Sequence, residues 1–374
     1  MNGNIRLGRL GSIPFYINAS WFLILGLVTW VYGSGLAAGF PQLTGLAPWG
    51  LGLLTALLVF ASVLAHELGH SWVALRQGIG VKSITLFLFG GLASLERESK
   101  TPWEALAVAI AGPAVSLLLW GAFTLLGLTL PISGSALAIV SLLATINLFL
   151  ALFNLIPGLP LDGGNVLKAI IWKVTGNPYK GTQVAGRVGQ IFGWLAVASG
   201  MLPLVLYGSF GNIWNLLIGW FLLQNAGFSA QSATVQEQLS QYTAADAVGE
   251  NSPIIAADQS LRDLADATVL SNKTWSRFLV TNAEGQLIGA IALQDLKTIP
   301  SAQWATTQVR DLMQAMTQPR TVESTQSLLD VVGLFDQEQL PALAVVRENG
   351  ALVGLLEKAS ILRFLQGRTQ TKPA

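Results

Sequence analysis

Long apolar stretches alternate with short polar connections over roughly the first 230 residues of the chain. Windows long enough to cross about 30 Å of hydrocarbon lie at 18–33, 50–75, 104–130, 136–156, 186–207 and 211–228. The pattern predicts about six membrane-spanning helices, some of them short or interrupted. The sequence turns polar after about residue 229, which indicates a membrane domain at 1–228, a linker or short helix at 229–242 and a soluble domain beyond it.

The soluble part contains an internal duplication of about 65 residues. In each copy a helix is followed by a short apolar strand, a turn at Gly285 or Gly350, a second strand and another helix. This layout resembles a tandem pair of CBS modules at about 243–300 and 308–367, before a tail at 368–374. The predicted fold is therefore a multi-pass α-helical membrane domain followed by a C-terminal soluble α+β CBS-domain pair.

The resemblance to CBS pairs implies a site for an adenine nucleotide between the repeats. In such pairs a Thr and an Asp after the second strand commonly hold the ribose and phosphate. Here Asp295 is present, but Ala292 stands at the Thr position, and the second copy has Glu357 and Ser360 there. Nucleotide binding at Asp295 and a purely structural or dimerising role, in a homodimer formed through these domains, both stay open.

Charged residues predict how the membrane domain is oriented. The connections near 34–49, 131–135 and 208–210 contain no charged residue, and all ten Lys and Arg of the membrane domain lie on the opposite set of connections. Because positive charge is retained on the inner side of a membrane, the N-terminus and the CBS domains are predicted to be cytoplasmic. The expected location is the cell membrane, with several passes through it.

Composition narrows the classes of function. Hydrophobic residues make up 52% of the 374 residues and charged residues only 11%, a balance that soluble globular proteins do not show. A net charge of +1 gives no reason to expect a nucleic-acid partner. The chain has no cysteine, which excludes disulfides, zinc thiolate clusters and cysteine nucleophiles.

Candidate chemistry begins within the second apolar window, in the stretch "LAHELGHSWVAL". His66 and His70 are four residues apart, so on a helix both imidazoles project from one face and can reach the same metal ion. Glu67 lies beside that face and can act on a metal-bound water. The pattern His-Glu-x-x-His is typical of zinc hydrolases, and these are the only two histidines in the chain. If either histidine is considered alone, the alternative to metal binding is a side chain that is packed and hydrogen-bonded between helices.

A catalytic zinc usually has three protein ligands, so a carboxylate is expected as the third. The membrane domain has five acidic residues, of which three lie in or beside one charged connection: Glu96, Glu98 and Glu104. Asp162 has apolar surroundings in "FNLIPGLPLDGGNVL", and an ionisable group at membrane depth is costly enough to indicate function. The predicted orientation places Asp162 at the same depth as the two histidines. Capping of the next helix is the alternative role.

These motifs resemble the site-2 protease family of intramembrane zinc metalloproteases. The resemblance rests on "HELGH", on "NLIPGLPLDGG" about 90 residues later, and on "IRLGRLGSIPFYINASW" and "AGPAVS". It covers about 5–228, and the CBS pair resembles one subgroup of the family. The resemblance implies that three residues bind Zn²⁺ and that Glu67 is the general base; the three are His66, His70 and Asp162.

The same resemblance makes Asn154 a candidate donor to the tetrahedral oxyanion, because it opens the family's Asn-x-x-Pro motif. An interhelical hydrogen bond is the alternative role for Asn154. The sequence departs from the family at Asn18, where many relatives have a histidine before the Ser/Thr-Trp pair. Any gating or auxiliary role of that histidine is therefore in doubt here.

The segment 83–97, "SITLFLFGGLASLER", predicts a membrane-associated β-hairpin or loop. Its edge can add an unwound substrate as a further strand, with Phe89, Gly90 and Gly91 as candidate substrate-binding residues. The alternative is a connecting hairpin that only covers the site.

The expected function is regulated intramembrane proteolysis, in which a transmembrane protein substrate is cut within the lipid bilayer. The family resemblance implies an anti-sigma factor or another membrane-tethered regulator as the substrate. Because the CBS pair adjoins the membrane domain on the side predicted to be cytoplasmic, we hypothesise that adenine nucleotide bound to it modulates substrate access. Two alternatives remain: a membrane transporter or channel regulated by CBS domains, and a catalytically inactive scaffold. The transporter predicts charges spread over several spans, which this sequence lacks outside the candidate metal site.

Overall fold

The computed structural model describes residues 4–10, 13–87, 90–208, 212–249, 252–270, 275–315, 320–338 and 340–370. The chain divides into two compact units, Met1–Thr234 and Val235–Ala374. The first contains the apolar helices and the second contains the repeats.

Seven helices belong wholly or largely to the first unit: α1 Ser20–Gly39, α2 Ala47–Arg76, α3 Pro102–Thr129, α4 Gly134–Asn154, α5 Asp162–Thr175, α6 Pro178–Tyr207 and α7 Ile213–Ser240. Four strands accompany them: β1 Asn4–Leu10, β2 Ile13–Asn18, β3 Val81–Phe87 and β4 Gly90–Leu95. The last helix, α7, continues into the second unit and includes much of the segment that the sequence indicated as a linker.

Five helices of the described part of the chain are long and apolar enough to cross a membrane: α1, α2, α3, α4 and α6. Six spans were expected. The sixth, 211–228, falls on α7 from residue 213 onward, and α7 is not among the five. Its apolar run is interrupted by the polar pair Gln224 and Asn225.

The helices begin and end at residues whose chemistry explains the boundary. Thr101 accepts a hydrogen bond from the Glu104 N–H at 3.2 Å at the start of α3, and Pro102 occupies the first turn, where it has no N–H to leave unpaired. The Asn177 side chain accepts the N–H groups of Tyr179 and Lys180 in the same way at the start of α6.

The four strands form one sheet in the order β1-β2-β3-β4. β3 and β4 pair antiparallel, so a hairpin lies where the sequence predicted one. β2 pairs parallel with β3, which is about 70 residues away along the chain. Ile84 of β3 is fully buried and packs with Leu64 and Leu68 of α2, so the sheet covers the turns of α2 that carry the histidines.

The second unit contains two copies of one arrangement. The first copy comprises β5 Ile254–Ala256, α8 Leu261–Leu270, β6 Arg277–Thr281 and β7 Leu287–Ala292. The second comprises β9 Thr321–Glu323, α10 Leu328–Glu338, β10 Ala342–Val346, β11 Leu352–Glu357 and α11 Lys358–Gln370. Two short elements, α9 Val309–Leu312 and β8 Gln314–Ala315, lie at the start of the second predicted module, and β8 pairs with β7 of the first copy. The two sheets have the strand orders β5-β6-β7-β8 and β11-β10-β9.

Each copy pairs its first strand parallel to the second and then turns back in an antiparallel hairpin. Gly285 and Gly350 have φ of +76° and +79° in these hairpins, a conformation that glycine adopts without strain. The two hairpin turns touch, because the Leu352 N–H donates to the Gly285 carbonyl at 2.8 Å. The internal duplication inferred from the sequence is therefore present in the fold.

Candidate metal centre

His66 and His70 lie on α2, and their side chains point to one place. The two Nε2 atoms are 3.3 Å apart, as expected for residues separated by four positions on a helix. Both residues are buried, with 3% and 9% exposure, although α2 is one of the apolar helices long enough to span a membrane. The helix therefore holds two nitrogen donors away from solvent.

Asp162 reaches the same point from the start of α5. Its Oδ2 is 3.0 Å from His66 Nε2, and its Oδ1 is 3.3 Å from His70 Nε2. One donor atom from each of the three side chains lies within 4.8 Å of the other two. The structure thus brings together the three residues that the sequence singled out as ligands.

The loop between α4 and α5 positions Asp162. The Leu159 N–H donates to the Ala185 carbonyl of α6 at 3.1 Å, which fixes the loop against that helix. Gly163 and Gly164 pack against the loop backbone so closely that a Cβ on either would collide with main-chain atoms. The two glycines after Asp162 are therefore required by packing.

The outer nitrogen of each histidine is fixed by α3. His70 Nδ1 lies 2.6 Å from the Val108 carbonyl oxygen, and His66 Nδ1 lies 2.9 Å from Ser116 Oγ. A carbonyl only accepts, so His70 carries its proton on Nδ1 when neutral, and its Nε2 lone pair is available to a metal. Sequence reasoning had assigned no role to Ser116 or Val108.

Gly112, also on α3, lies directly beneath the two imidazoles. A Cβ at this position would be 2.6 Å from His66 Nε2 and would collide with His70 as well. The absence of a side chain therefore leaves the space into which both donor atoms point. Gly112 and Ser116 belong to the "AGPAVS" stretch, whose small residues were the available sequence signal.

The donor set and its spacing fit zinc. Two imidazole nitrogens and one carboxylate oxygen are the ligands of a common catalytic zinc site that leaves a fourth position open. Zinc–ligand bonds of about 2.0–2.1 Å at tetrahedral angles place neighbouring donor atoms about 3.3 Å apart. The two imidazole nitrogens are 3.3 Å apart, and each is 3.0 or 3.3 Å from its nearest Asp162 oxygen, Oδ2 for His66 and Oδ1 for His70.

Glu67 adjoins this cluster and contacts β4. A Cβ on Gly91 would collide with the Glu67 side chain, so the β4 backbone runs directly past it, and the Ala93 main chain hydrogen-bonds to the Glu67 carboxylate. Gly90, with φ of +137°, begins the strand. Phe89, the other candidate in this segment, lies outside the described residues.

Asn154 is the last residue of α4 and is partly exposed. Asn147, seven residues earlier on the same face, donates to Ser62 Oγ of α2 at 3.0 Å. Asn154 therefore lies on the side of α4 that faces α2. Farther from the cluster in sequence, the Asn18 side chain accepts the Ser20 N–H at 3.0 Å where α1 begins.

Asp295 accepts the Ala292 N–H at 3.2 Å and so caps the short 3₁₀ turn Leu293–Thr298. A cleft lies beside this turn and is lined by Trp275, Ser276, Arg277, Ala292, Leu293 and Gln294. The Asp295 side chain hydrogen-bonds within the turn and is not among the residues that line the cleft.

Comparison with known proteins agrees with this geometry. Residues 54–133 and 129–196 match peptidase family M50, and residues 309–367 match the CBS domain. A relative from Synechocystis sp., named "Putative zinc metalloprotease sll0528", is 59% identical over 366 residues, covering 98% of this chain and 96% of its own. A relative from Mycobacterium tuberculosis, named "Putative zinc metalloprotease Rip3", is 32% identical over 373 residues, covering 98% of this chain and 93% of its own.

A solved structure, the site-2 protease from Methanocaldococcus jannaschii, is 29% identical and covers 61% of this chain and 95% of its own, with a TM-score of 0.45. The extent and identity of the sequence matches, together with the matching family segments around both site motifs, show that the chain is a membrane zinc metalloprotease and belongs to peptidase family M50, the site-2 protease family.

Proposed function

We propose that this protein is an intramembrane protease that hydrolyses peptide bonds in or near transmembrane segments of membrane-bound regulatory proteins. The observation that carries the proposal is the meeting of His66, His70 and Asp162 on helices packed among membrane-spanning segments. A buried metal-binding cluster at that position has access to peptide bonds that a soluble protease cannot reach.

Three residues would hold the zinc: His66, His70 and Asp162. When bound, zinc supplies an acidified water and polarises the substrate carbonyl. Glu67 takes the proton from the attacking water and later delivers it to the leaving amine. Asn154 donates a hydrogen bond to the oxyanion that develops on the carbonyl.

The β4 strand supports a mode of substrate binding. A substrate helix hides its carbonyl groups in its own hydrogen bonds, so it must unwind locally before it is cut, and its backbone then needs new partners. β4 is the edge strand of its sheet and runs past Glu67. Addition of the unwound segment to this edge would place its backbone beside the proton acceptor.

The CBS pair would modulate the protease by binding an adenine nucleotide at the cleft next to the Asp295 turn. The cleft contains the Arg277 side chain for a phosphate and the Trp275 side chain for a base. The N-terminus and the CBS pair would be cytoplasmic, because the charged connections carry all the basic residues of the membrane domain. The repeats would also mediate a homodimer.

The experiment uses the full chain in liposomes with a reporter transmembrane segment, and mass spectrometry identifies the cleaved bond. Wild-type protein should cut the segment within its membrane-embedded part, and Glu67→Gln should abolish cleavage. Glu348→Gln, an exposed glutamate in a hairpin turn of the second repeat, is the matched control and should cleave as the wild type does. Cleavage that survives Glu67→Gln, or occurs only outside the bilayer, would refute the proposal.

Nucleotide modulation is tested separately by titrating AMP, ADP and ATP into the same protein. Binding should be weakened in Arg277→Gln, and cleavage should change with nucleotide in the wild type alone. If none of the three nucleotides binds, or if cleavage is indifferent to them, modulation by the CBS pair is refuted while the protease proposal stands.

A further inference from the structure

An open groove of about 720 Å³ lies between α6 and α7, and no step of the proposed reaction uses it. The two helices pack closely through glycine: a Cβ at Gly186 would be 2.9 Å from the Ala226 carbonyl, and one at Gly193 would be 2.8 Å from the Leu223 side chain. Side chains flanking this contact form the two walls. The groove is therefore built by helices that cannot move closer together.

The walls of the groove carry hydrogen-bond donors and one charge. Gln183, Arg187 and Gln190 project from one face of α6, because they are spaced by four and three residues. Gln224 and Gln231, seven residues apart, project from one face of α7. Among the described residues that line the groove, Arg187 is the only charged one, so its lining is complementary to an anion.

The groove also has apolar surfaces. Trp220 and Phe228 line it and are 58% and 75% exposed. Trp194, seven residues after Arg187 and 64% exposed, continues the same face of α6 toward its apolar half. Gly186 packs against Ala226 and Ala230, whereas Gly193 packs against Leu223, so Phe228 lies at the Arg187 end and Trp220 lies toward Trp194. An occupant would therefore meet an arginine, amide groups and one aromatic ring at one end and the two tryptophan rings at the other.

Contacts of α6 show how the groove is placed relative to the metal centre. Gly189, between Arg187 and Gln190 in sequence, packs against Leu159, three residues before Asp162. Ala185 and Gly189 face the loop between α4 and α5, whereas Arg187 and Gln190 face the groove. The groove therefore lies on the side of α6 opposite to that loop. The groove is thus at the level of the metal centre.

We propose that this groove binds an anionic phospholipid, with its phosphate on Arg187 and the glutamine amides and its acyl chain along Trp220 and Trp194. An arginine fork makes two parallel hydrogen bonds to phosphate, and aromatic side chains are enriched where a membrane meets water. The apolar surface of α6 favours a lipid over a free phosphate, because α6 is long and apolar enough to span a membrane and acyl chains can cover its exposed rings, which a free anion cannot do.

The experiment counts lipids bound to the full chain by native mass spectrometry after mixing with phosphatidylglycerol and phosphatidylcholine. Wild-type protein should retain phosphatidylglycerol preferentially. Arg187→Gln should weaken that retention about tenfold to a hundredfold, as expected for loss of a charge-assisted pair. Lys180→Gln, which removes the same charge from the same helix but does not line the groove, is the matched control and should have no effect.

A second variant tests the shape of the groove while the charge of Arg187 is kept. Gly227 lines the groove, and a Cβ there would be 3.1 Å from Gln190 Nε2, so Gly227→Leu should fill the groove with Arg187 intact and weaken retention as strongly. Equal effects of Arg187→Gln and Lys180→Gln would overturn the proposal, as would full retention in both groove variants. Displacement of the lipid by an equal concentration of inorganic phosphate, or a changed oligomeric state without changed lipid retention, would overturn it too.

Discussion

Replacement of Gly112 by alanine should remove the metal while leaving the fold intact. The added Cβ would be 2.6 Å from His66 Nε2, whereas non-bonded heavy atoms pack best at about 3.5 Å, so the imidazole must move by about 0.9 Å. Metal sites tolerate ligand displacements of only about 0.2 Å. Gly112→Ala should therefore lower zinc affinity by at least the roughly tenfold to hundredfold that follows disturbance of a ligand's supporting contacts.

The assay measures zinc affinity by competition with a chelator, and helix content and the unfolding temperature report the fold. Alanine favours a helix by up to about 1 kcal/mol over glycine, so Gly112→Ala should fold. Gly121 is the matched control, because it lies on the same helix and a Cβ there meets nothing within 4 Å. Gly121→Ala should bind zinc as the wild type does. Wild-type zinc affinity in Gly112→Ala would refute the idea that this glycine opens the metal site.

Three further changes test the parts around the metal. Ser116→Ala removes the partner of His66 Nδ1 and should weaken zinc binding about tenfold to a hundredfold, measured by the same competition; unchanged affinity would contradict the support that α3 provides. Gly91→Val places a side chain against Glu67 and should reduce cleavage with zinc retained, which metal analysis and the reporter assay check together. Asn154→Ala should lower kcat about a hundredfold to a thousandfold with little change in KM; a change in KM alone would exclude an oxyanion role.

The metal cluster could be predicted from the sequence because two strong constraints act on it. Helical spacing places His66 and His70 on one face, and the alternation of charged and uncharged connections places Asp162 at their depth. The arrangement of α3 could not be predicted in the same way. Nothing in the spacing of "AGPAVS" shows which face of α3 meets the histidines, so Gly112 and Ser116 required the packed structure.

The β-sheet was only partly predictable for a different reason. The antiparallel hairpin of β3 and β4 is local and was expected from its residues, whereas β1 and β2 were not foreseen as strands. Their place in the sheet depends on the pairing of Tyr16 with Thr85, a contact between distant parts of the chain. The polar residues after 229 also continue α7 to Ser240, a segment for which composition alone had left both a linker and a short helix open.

The metal content of purified variants tests the central claim most directly. Wild-type protein and Glu67→Gln should each carry about one zinc ion per chain, because Glu67 acts on the proton and holds no metal. His66→Ala and Asp162→Ala should lose it, since each removes one of the three donors that lie within 4.8 Å of one another. Full zinc content in Asp162→Ala, or loss of zinc in Glu67→Gln, would contradict the assignment of ligands and base.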